Sequence, residues 1–303
     1  MISANDILKT LKIPFKKDLL QSEKFLLKNN FIFKLNPGAG IYVFSPLGLI
    51  YLEKIKSEIR NRMIVELSVP EVILPTMSKV DLWNCRANDE KFLSNGYCFS
   101  PTSEEVVKKI WEDGFLFDKF FQFSKNFRNE LRPQFSLIRC KEFMMKDGYA
   151  KFNSHEEAVS FYQQVLICYQ KFFDDIKLPV IQNNVFEDGE TTEFFAYTNS
   201  EMKSMIRNNE HAIELAHVFL FESKVFDLHL VTFGIGITRL FQTFIEIKIK
   251  NEIVDFGILN PFAGYEIVDR ELTNGEKLNN ILYDDRKIDK GKKIFDAKSL
   301  GLI

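Results

Sequence analysis

Two clusters of charged and aromatic residues in this 303-residue chain have the types and spacing that phosphate chemistry needs. The first is Phe127-Arg128-Asn129-Glu130-Leu131-Arg132-Pro133, followed by Arg139-Cys140-Lys141-Glu142-Phe143. Side chains two apart share a strand face, so alternation predicts that Arg128, Glu130 and Arg132 project together. Arg139, Lys141 and Phe143 do the same on the next strand, and the stretch from Pro133 to Ser136 makes the pair a hairpin. One face then offers guanidinium forks for phosphate oxygens, a carboxylate, and a ring that can stack on a base. A solvated charged hairpin has the same spacing. The second cluster, Phe233-Gly234-Ile235-Gly236-Ile237-Thr238-Arg239, reads as a strand running into a helix. Its glycines let another group approach the backbone, with Arg239 at the helix start. A tight strand–helix turn explains the glycines at least as well, and the GxGxxG spacing of a dinucleotide-binding turn is absent.

These residues need elements to position them. Apolar Leu49, Leu52, Ile55, Ile59 and Met63 recur every three or four residues, which predicts an amphipathic helix within 47–66. It leads into Val69–Pro75, an extended run fenced by prolines and so an edge or interface strand. Ser154 with Glu157 forms a capping box for a helix with a face of Ala158, Phe161, Tyr162, Val165, Tyr169, Phe172, Phe173 and Ile176. Residues 97–149 read as strands and turns around a short helix from Glu104 to Trp111. Residues 211–233 read as strand and 237–247 as helix. Strands outnumber crossover helices, so the expected class is α+β with an antiparallel sheet.

Composition sets limits. Forty basic residues against 42 acidic ones give a net charge of -2, so a nucleic-acid surface would have to be a local patch. Cys85, Cys98, Cys140 and Cys168 show no CxxC pairing or metal-like spacing, which suggests reduced thiols in a cytoplasmic protein. No apolar run reaches the ~18 residues of a membrane helix, and no secretory signal is apparent at the start of the chain. After about Pro261 the sequence turns polar, a candidate boundary.

Taken in order, the two clusters resemble motifs 2 and 3 of class II aminoacyl-tRNA synthetases. The details are similar to the bacterial-type prolyl-tRNA synthetases. Arg128-x-Glu130-x-Arg132-Pro133 and Arg139-x-Lys141-Glu142-Phe143-Met144-Met145-Lys146-Asp147 resemble that family's motif 2. Residues 47–75 resemble motif 1, and Pro101-Thr102-Ser103-Glu104-Glu105 its TxE loop. Glu214-Leu215-Ala216-His217 resembles the strand before motif 3, and Gly40-Ile41-Tyr42 with Pro46-Leu47-Gly48 the N-terminal region. The implied fold is an antiparallel synthetase sheet flanked by helices over residues 1–260, then a short remnant of an α/β anticodon-binding domain over 261–303.

The resemblance implies a proline–tRNA ligase that makes prolyl-adenylate from proline and ATP, then charges tRNA(Pro). Catalysis would rest on Arg128 and Arg239. Arg128, Glu130, Arg139, Phe143, Glu214, Gly236 and Arg239 would bind ATP, Phe143 by stacking on adenine, and Glu214 would associate with Mg²⁺. Thr102, Glu104, Phe194 and His217 would form the proline pocket. Without the resemblance, Thr102 and Glu104 serve equally as helix cap and first-turn charge, and His217 as a core histidine. A homodimer through motif 1 is implied, with no membrane partner. Thr191-Thr192-Glu193-Phe194 stands where the family has SHEF. The interval from Asp147 to Gly234 is too short for an editing insertion, so none is expected. Arg286, Lys287, Lys290, Lys292, Lys293 and Lys298 are candidates for RNA phosphate, or a solvated tail. Two other functions fit the motifs: a non-catalytic tRNA- or partner-binding protein, and a paralogue adenylating an amino acid for another acceptor.

Overall fold

The computed structural model describes residues 4–8, 19–35, 38–84, 91–185, 190–197, 212–223, 228–268 and 281–302. Cys85 and His211 lie outside them. Helices α1 (Ala4–Ile7), α2 (Gln21–Lys28) and α3 (Pro46–Asn61) come first, with strands β1 (Ile32–Lys34) and β2 (Tyr42–Phe44) paired between α2 and α3. A small sheet of β3 (Met77–Lys79), β4 (Phe92–Ser94) and β5 (Tyr97–Phe99) precedes α4 (Glu104–Glu112). The chain continues through β6 (Lys119–Phe127), β7 (Glu142–Phe152), α5 (His155–Asp175), β8 (Ile181–Val185), β9 (Glu190–Tyr197), β10 (Ala212–Ser223), β11 (Leu228–Gly236) and α6 (Ile237–Lys248). Strands β12 (Gly264–Ile267) and β13 (Ile281–Asp284), then α7 (Lys290–Ser299), follow.

Six of these strands form one sheet, in the order β6-β7-β11-β10-β9-β8, and every pairing in it is antiparallel. The class is α+β, as the sequence predicts. The back face packs on α5, whose apolar stripe from Ala158 to Phe173 is buried. Ser154 caps that helix by accepting from the Glu157 amide at 3.4 Å. Helix α3 starts at Ser45, whose Oγ accepts from Gly48 N at 3.1 Å, and buries Leu47, Tyr51, Leu52, Ile55 and Ile59. It ends in a π-helical turn, Arg62–Glu66. The front face carries a second, smaller apolar cluster at one end, where Phe120, Tyr149 and Leu230 meet Val106, Val107 and Trp111 of α4.

Val69–Pro75 is extended but is not a strand of the sheet. Val72 N donates to Phe121 O at 2.8 Å and Phe121 N to Pro70 O at 3.0 Å, a single parallel bridge at Glu71. Pro70 has no amide hydrogen to extend the ladder upstream, and downstream Leu74 N donates to the Gln122 side chain at 3.0 Å instead of to the strand. After Pro261, β12 and β13 pair in parallel, and Leu282 and Leu300 join the main core. Three of the basic residues there are engaged within the protein, two of them buried. Arg286 is 6% exposed and held by Asp284 and Asp296, Lys293 donates to the carbonyl of Asp284 at 3.0 Å, and Lys292 is paired with Asp296. Lys287, Lys290 and Lys298 remain exposed. Among the described residues no helix is long and apolar enough to cross a membrane.

Candidate active site

Directly paired residues of an antiparallel sheet project to the same side. The register therefore aligns one row across the sheet: Gln122, Asp147, Gly234, His217, Glu193 and Asn183. Every member is polar or glycine. The adjacent row on that face holds Tyr149, Thr232, Phe219 and Thr191. Gly234 is what lets the row close. A Cβ there would lie 2.6 Å from His217 Nε2, so the imidazole occupies the space above this glycine. The glycine does admit a close approach, but by the protein's own histidine. His217 also stacks on Phe219 with ring centroids 4.5 Å apart. Gly236 is different: a Cβ there would meet only ordinary contacts.

The pairing of β10 with β9 shifts register between Glu214 and Ala216. This bulge at Leu215 turns Glu214, three residues from His217, onto the same face. His217 Nδ1 donates to Glu214 Oε1 at 3.1 Å. Arg239, on the first turn of α6, donates from Nη1 to Glu214 O at 3.0 Å and from Nε to Ile138 O at 3.1 Å. Its guanidinium is 4.0 Å from the Glu214 carboxylate. Burial raises the Glu214 pKa, but the His217 hydrogen bond and the charges of His217, Arg239 and Arg128 outweigh it and hold the carboxyl below its ordinary range. Burial and the nearby Glu214 push Glu193 the other way. Asp147 is buried, accepts from Ser124 and Asn126 at 3.3 Å, and is raised chiefly by burial.

The hairpin of β6 and β7 exists, but its arginines are not in strands. β6 stops at Phe127, and Arg128, Glu130, Arg132, Arg139 and Lys141 all lie in the loop before Glu142. Glu130 Oε1 accepts from Arg132 N at 3.0 Å and Phe135 and Ser136 take left-handed backbone, which together curl the chain. Arg128 Nε donates to Pro101 O at 3.2 Å, and its guanidinium lies 5.2 Å from the ring centre of Phe143. Arg139 pairs with Glu130 at 2.6 Å. The TxE loop reaches the same face, since the Tyr149 phenol meets Thr102 and lies near Glu104. Thr102 Oγ1 accepts from Glu104 N at 3.5 Å, a weak cap at the start of α4.

One expected pocket residue is elsewhere. Phe194 pairs with Ala216, points to the back of the sheet, and is 0% exposed between Tyr169 and Phe173 of α5. Its neighbour Glu193 occupies the front face in its place. Strict alternation through Thr191-Thr192-Glu193-Phe194 held that signal, because Phe194 is the more apolar of two adjacent candidates. Lys146, in the motif 2 stretch, is wholly buried behind the sheet, bonded to the Tyr169 hydroxyl and to Phe233 O, and burial carries its pKa well below an ordinary lysine.

Arg128, Phe143, Glu214, His217, Gly236 and Arg239 thus border one open sheet face, with Glu130 and Arg139 farther out on the loop. Glu214 is one carboxylate already engaged by His217. Among the described residues no group of three or more His, Cys, Asp or Glu could hold a metal. One carboxylate suits a magnesium ion carried mainly by nucleotide phosphates, not one caged by protein.

The tRNA synthetase class II core domain (G, H, P, S and T) matches residues 88–248, just over half of the chain. The chain belongs to the class II tRNA synthetase core family. The proline–tRNA ligase of Xylella fastidiosa strain M12 is 33% identical over 184 residues, 56% of this chain and 32% of that protein. A probable mitochondrial proline–tRNA ligase of Saccharomyces cerevisiae is 31% identical over 185 residues, 57% of this chain and 31% of its own length. The chain spans about a third of the curated relatives it matches. Two solved prolyl-tRNA synthetases share the fold. That of Cryptosporidium parvum, complexed with L-proline and AMP, has a TM-score of 0.74 at 16% identity, covering 93% of this chain and 66% of that one. That of Giardia lamblia, in complex with prolyl-adenylate, has a TM-score of 0.74 at 14% identity, covering 94% and 70%. The class II assignment accounts for the antiparallel sheet and for the pairing of a motif 2 loop with a motif 3 helix at one site.

Proposed function

We propose that this class II synthetase chain activates proline with ATP and transfers it to tRNA(Pro). The observation that carries the reading is the convergence of Arg128 and Arg239 on the sheet face that also presents Glu214, His217, Glu193 and Asp147. Arg128 and Arg239 gather at the Glu214 end of the face, and the carboxylates of Asp147 and Glu193 lie in the neighbouring row with His217. An amino acid needs the reverse polarity at its two ends, an anion toward the arginines and a cationic imino group toward the acids.

The chemistry follows from that layout. A carboxylate oxygen of proline attacks the α-phosphorus, the bond to the bridging oxygen breaks, and pyrophosphate leaves. No proton moves, so the step needs in-line placement and neutralised phosphate charge. Arg128 and Arg239 neutralise the α-phosphate and the terminal phosphates, with Arg139 able to join once it leaves Glu130. Mg²⁺, carried by the nucleotide, would add to that neutralisation beside Glu214. Phe143 stacks against Arg128 and offers a flat surface for adenine, while Gly236 puts no side chain beside Arg239. Glu104, Thr102, His217 and Glu193 surround the imino end. A tRNA 3′ hydroxyl then attacks the prolyl carbonyl and AMP departs.

The reading includes a homodimer through motif 1, with residues 1–260 as the catalytic unit and 261–303 as a smaller unit like an anticodon-binding domain. Charging of tRNA(Pro) with labelled proline tests the whole of it. Acid-stable release of prolyl-tRNA supports it. Adenylate formation without charging any tRNA would favour a paralogue with another acceptor, and inactivity in both steps a binding protein.

A further inference from the structure

The loop from Arg128 to Lys141 carries the arginines assigned to ATP, yet its own residues make few turns of regular structure. Besides the Arg128 side chain on Pro101 O, three hydrogen bonds from other elements fasten its backbone. Leu137 N donates to Gln242 Oε1 at 2.7 Å, and Ile138 O accepts from Arg239, both on α6. The third comes from the N-terminal hairpin. Lys141 N donates to Gly40 O at 2.9 Å, and Lys141 O accepts from Arg128 N at 2.9 Å. One residue, Lys141, thus links Gly40 to the first arginine of the site through its amide and its carbonyl.

Gly40 has φ +79°, a region L side chains rarely adopt, and a Cβ there would lie 2.8 Å and 2.9 Å from Pro133 Cβ and Cγ and 3.1 Å from Lys141 N. Glycine is required at this point for backbone conformation and for space. The hairpin behind it is firmly based. Phe31 and Ile32 are buried, Ser45 N donates to Phe31 O at 3.0 Å, and Gly48 of α3 abuts that same carbonyl.

We propose that Gly40 is a positioning residue: it seats the arginine-bearing loop and so sets nucleotide affinity without touching nucleotide. The proposal rests on the ATP reading of the site. Gly96, in the turn between β4 and β5, supplies the control, because it has the same φ of +79° but nothing within 4 Å of its Cβ position. Gly96→Ala carries the backbone strain alone, Gly40→Ala the strain and the collision with the loop.

Amide hydrogen exchange over residues 128–141 and steady-state ATP–pyrophosphate exchange test this together. In Gly40→Ala the Arg128 and Lys141 amides are expected to exchange about tenfold faster, and KM for ATP to rise about tenfold with KM for proline within about twofold. Gly96→Ala is expected to match the wild type in both. A folded Gly40→Ala with wild-type protection and wild-type KM for ATP would overturn the proposal. If that variant does not fold, the unmodified chain decides: Lys141 and Arg128 amides that exchange as fast as those at the loop tip would overturn it, and protected ones support it. A wild type without pyrophosphate exchange would sink the ATP reading, while loop protection would still report whether Gly40 seats the loop.

Discussion

Arg128 and Arg239 reach the site from different elements and differ in what else they hold. Arg128→Ala removes a guanidinium tied to Pro101 O and stacked on Phe143; its expected effect is a loss of about 10²–10³ in kcat/KM for adenylate formation, as for other fixed transition-state donors. Arg239→Ala is expected to lose as much activity and also about 1–3 kcal/mol of stability, because Arg239 bonds two carbonyls, those of Ile138 and Glu214. Urea denaturation beside pyrophosphate exchange separates the two effects. Asp147 makes a pH-dependent case. Its folded-state pKa is raised above the unfolded value, so its ionisation disfavours the fold increasingly as pH rises through the folded pKa. Asp147→Asn keeps an oxygen to accept from Ser124 and Asn126 without the charge. Its melting temperature is expected to exceed that of the wild type at neutral pH, and the gain to vanish in acid where Asp147 is protonated. A gain that grows toward acid would contradict this.

Elements decide which residues face the site, and here legibility in sequence was uneven. The N-cap at Ser154, the α3 stripe of Leu52, Ile55 and Ile59 and the strand–helix junction at Gly236 follow from local patterns and stand in the structure, whereas Leu49, expected in that stripe, is exposed. The arginine face did not, because alternation carries strand geometry past Phe127 into a loop held by contacts remote in sequence, Gly40 and Gln242. The partnership of Glu214 with His217 is also illegible locally, since a bulge at Leu215 depends on register with β9. Phe194 was misplaced by its chemistry, and Gly234 was read correctly as a close-approach position without its occupant. Gly234→Ala is expected to cost about 1–3 kcal/mol, as overpacking does, and to displace His217. Gly236→Ala, with only ordinary contacts to its new methyl, is expected to fold with little loss. Thermal denaturation of the two side by side checks the contrast, and equal losses would refute it.

At the scale of the molecule, the end of motif 1 leaves an aliphatic surface: Ile73 is 95% exposed and Val65 68%, with Ile64 nearby in sequence. Exposed aliphatic residues beside the extended segment fit a twofold interface. The chain is expected to be a dimer by light scattering at micromolar concentration, and Val65→Asp with Ile73→Asp to be a folded monomer. A wild-type monomer would remove the dimer from the account. Whether Arg128 and Arg239 border a site for ATP and proline is read out by ATP–pyrophosphate exchange measured with each amino acid in turn. The expected result is exchange that depends on proline, with any alanine response far weaker, and that falls by about 10²–10³ in Arg128→Ala. Absence of exchange with every amino acid, in a wild-type chain shown to be folded, would contradict it.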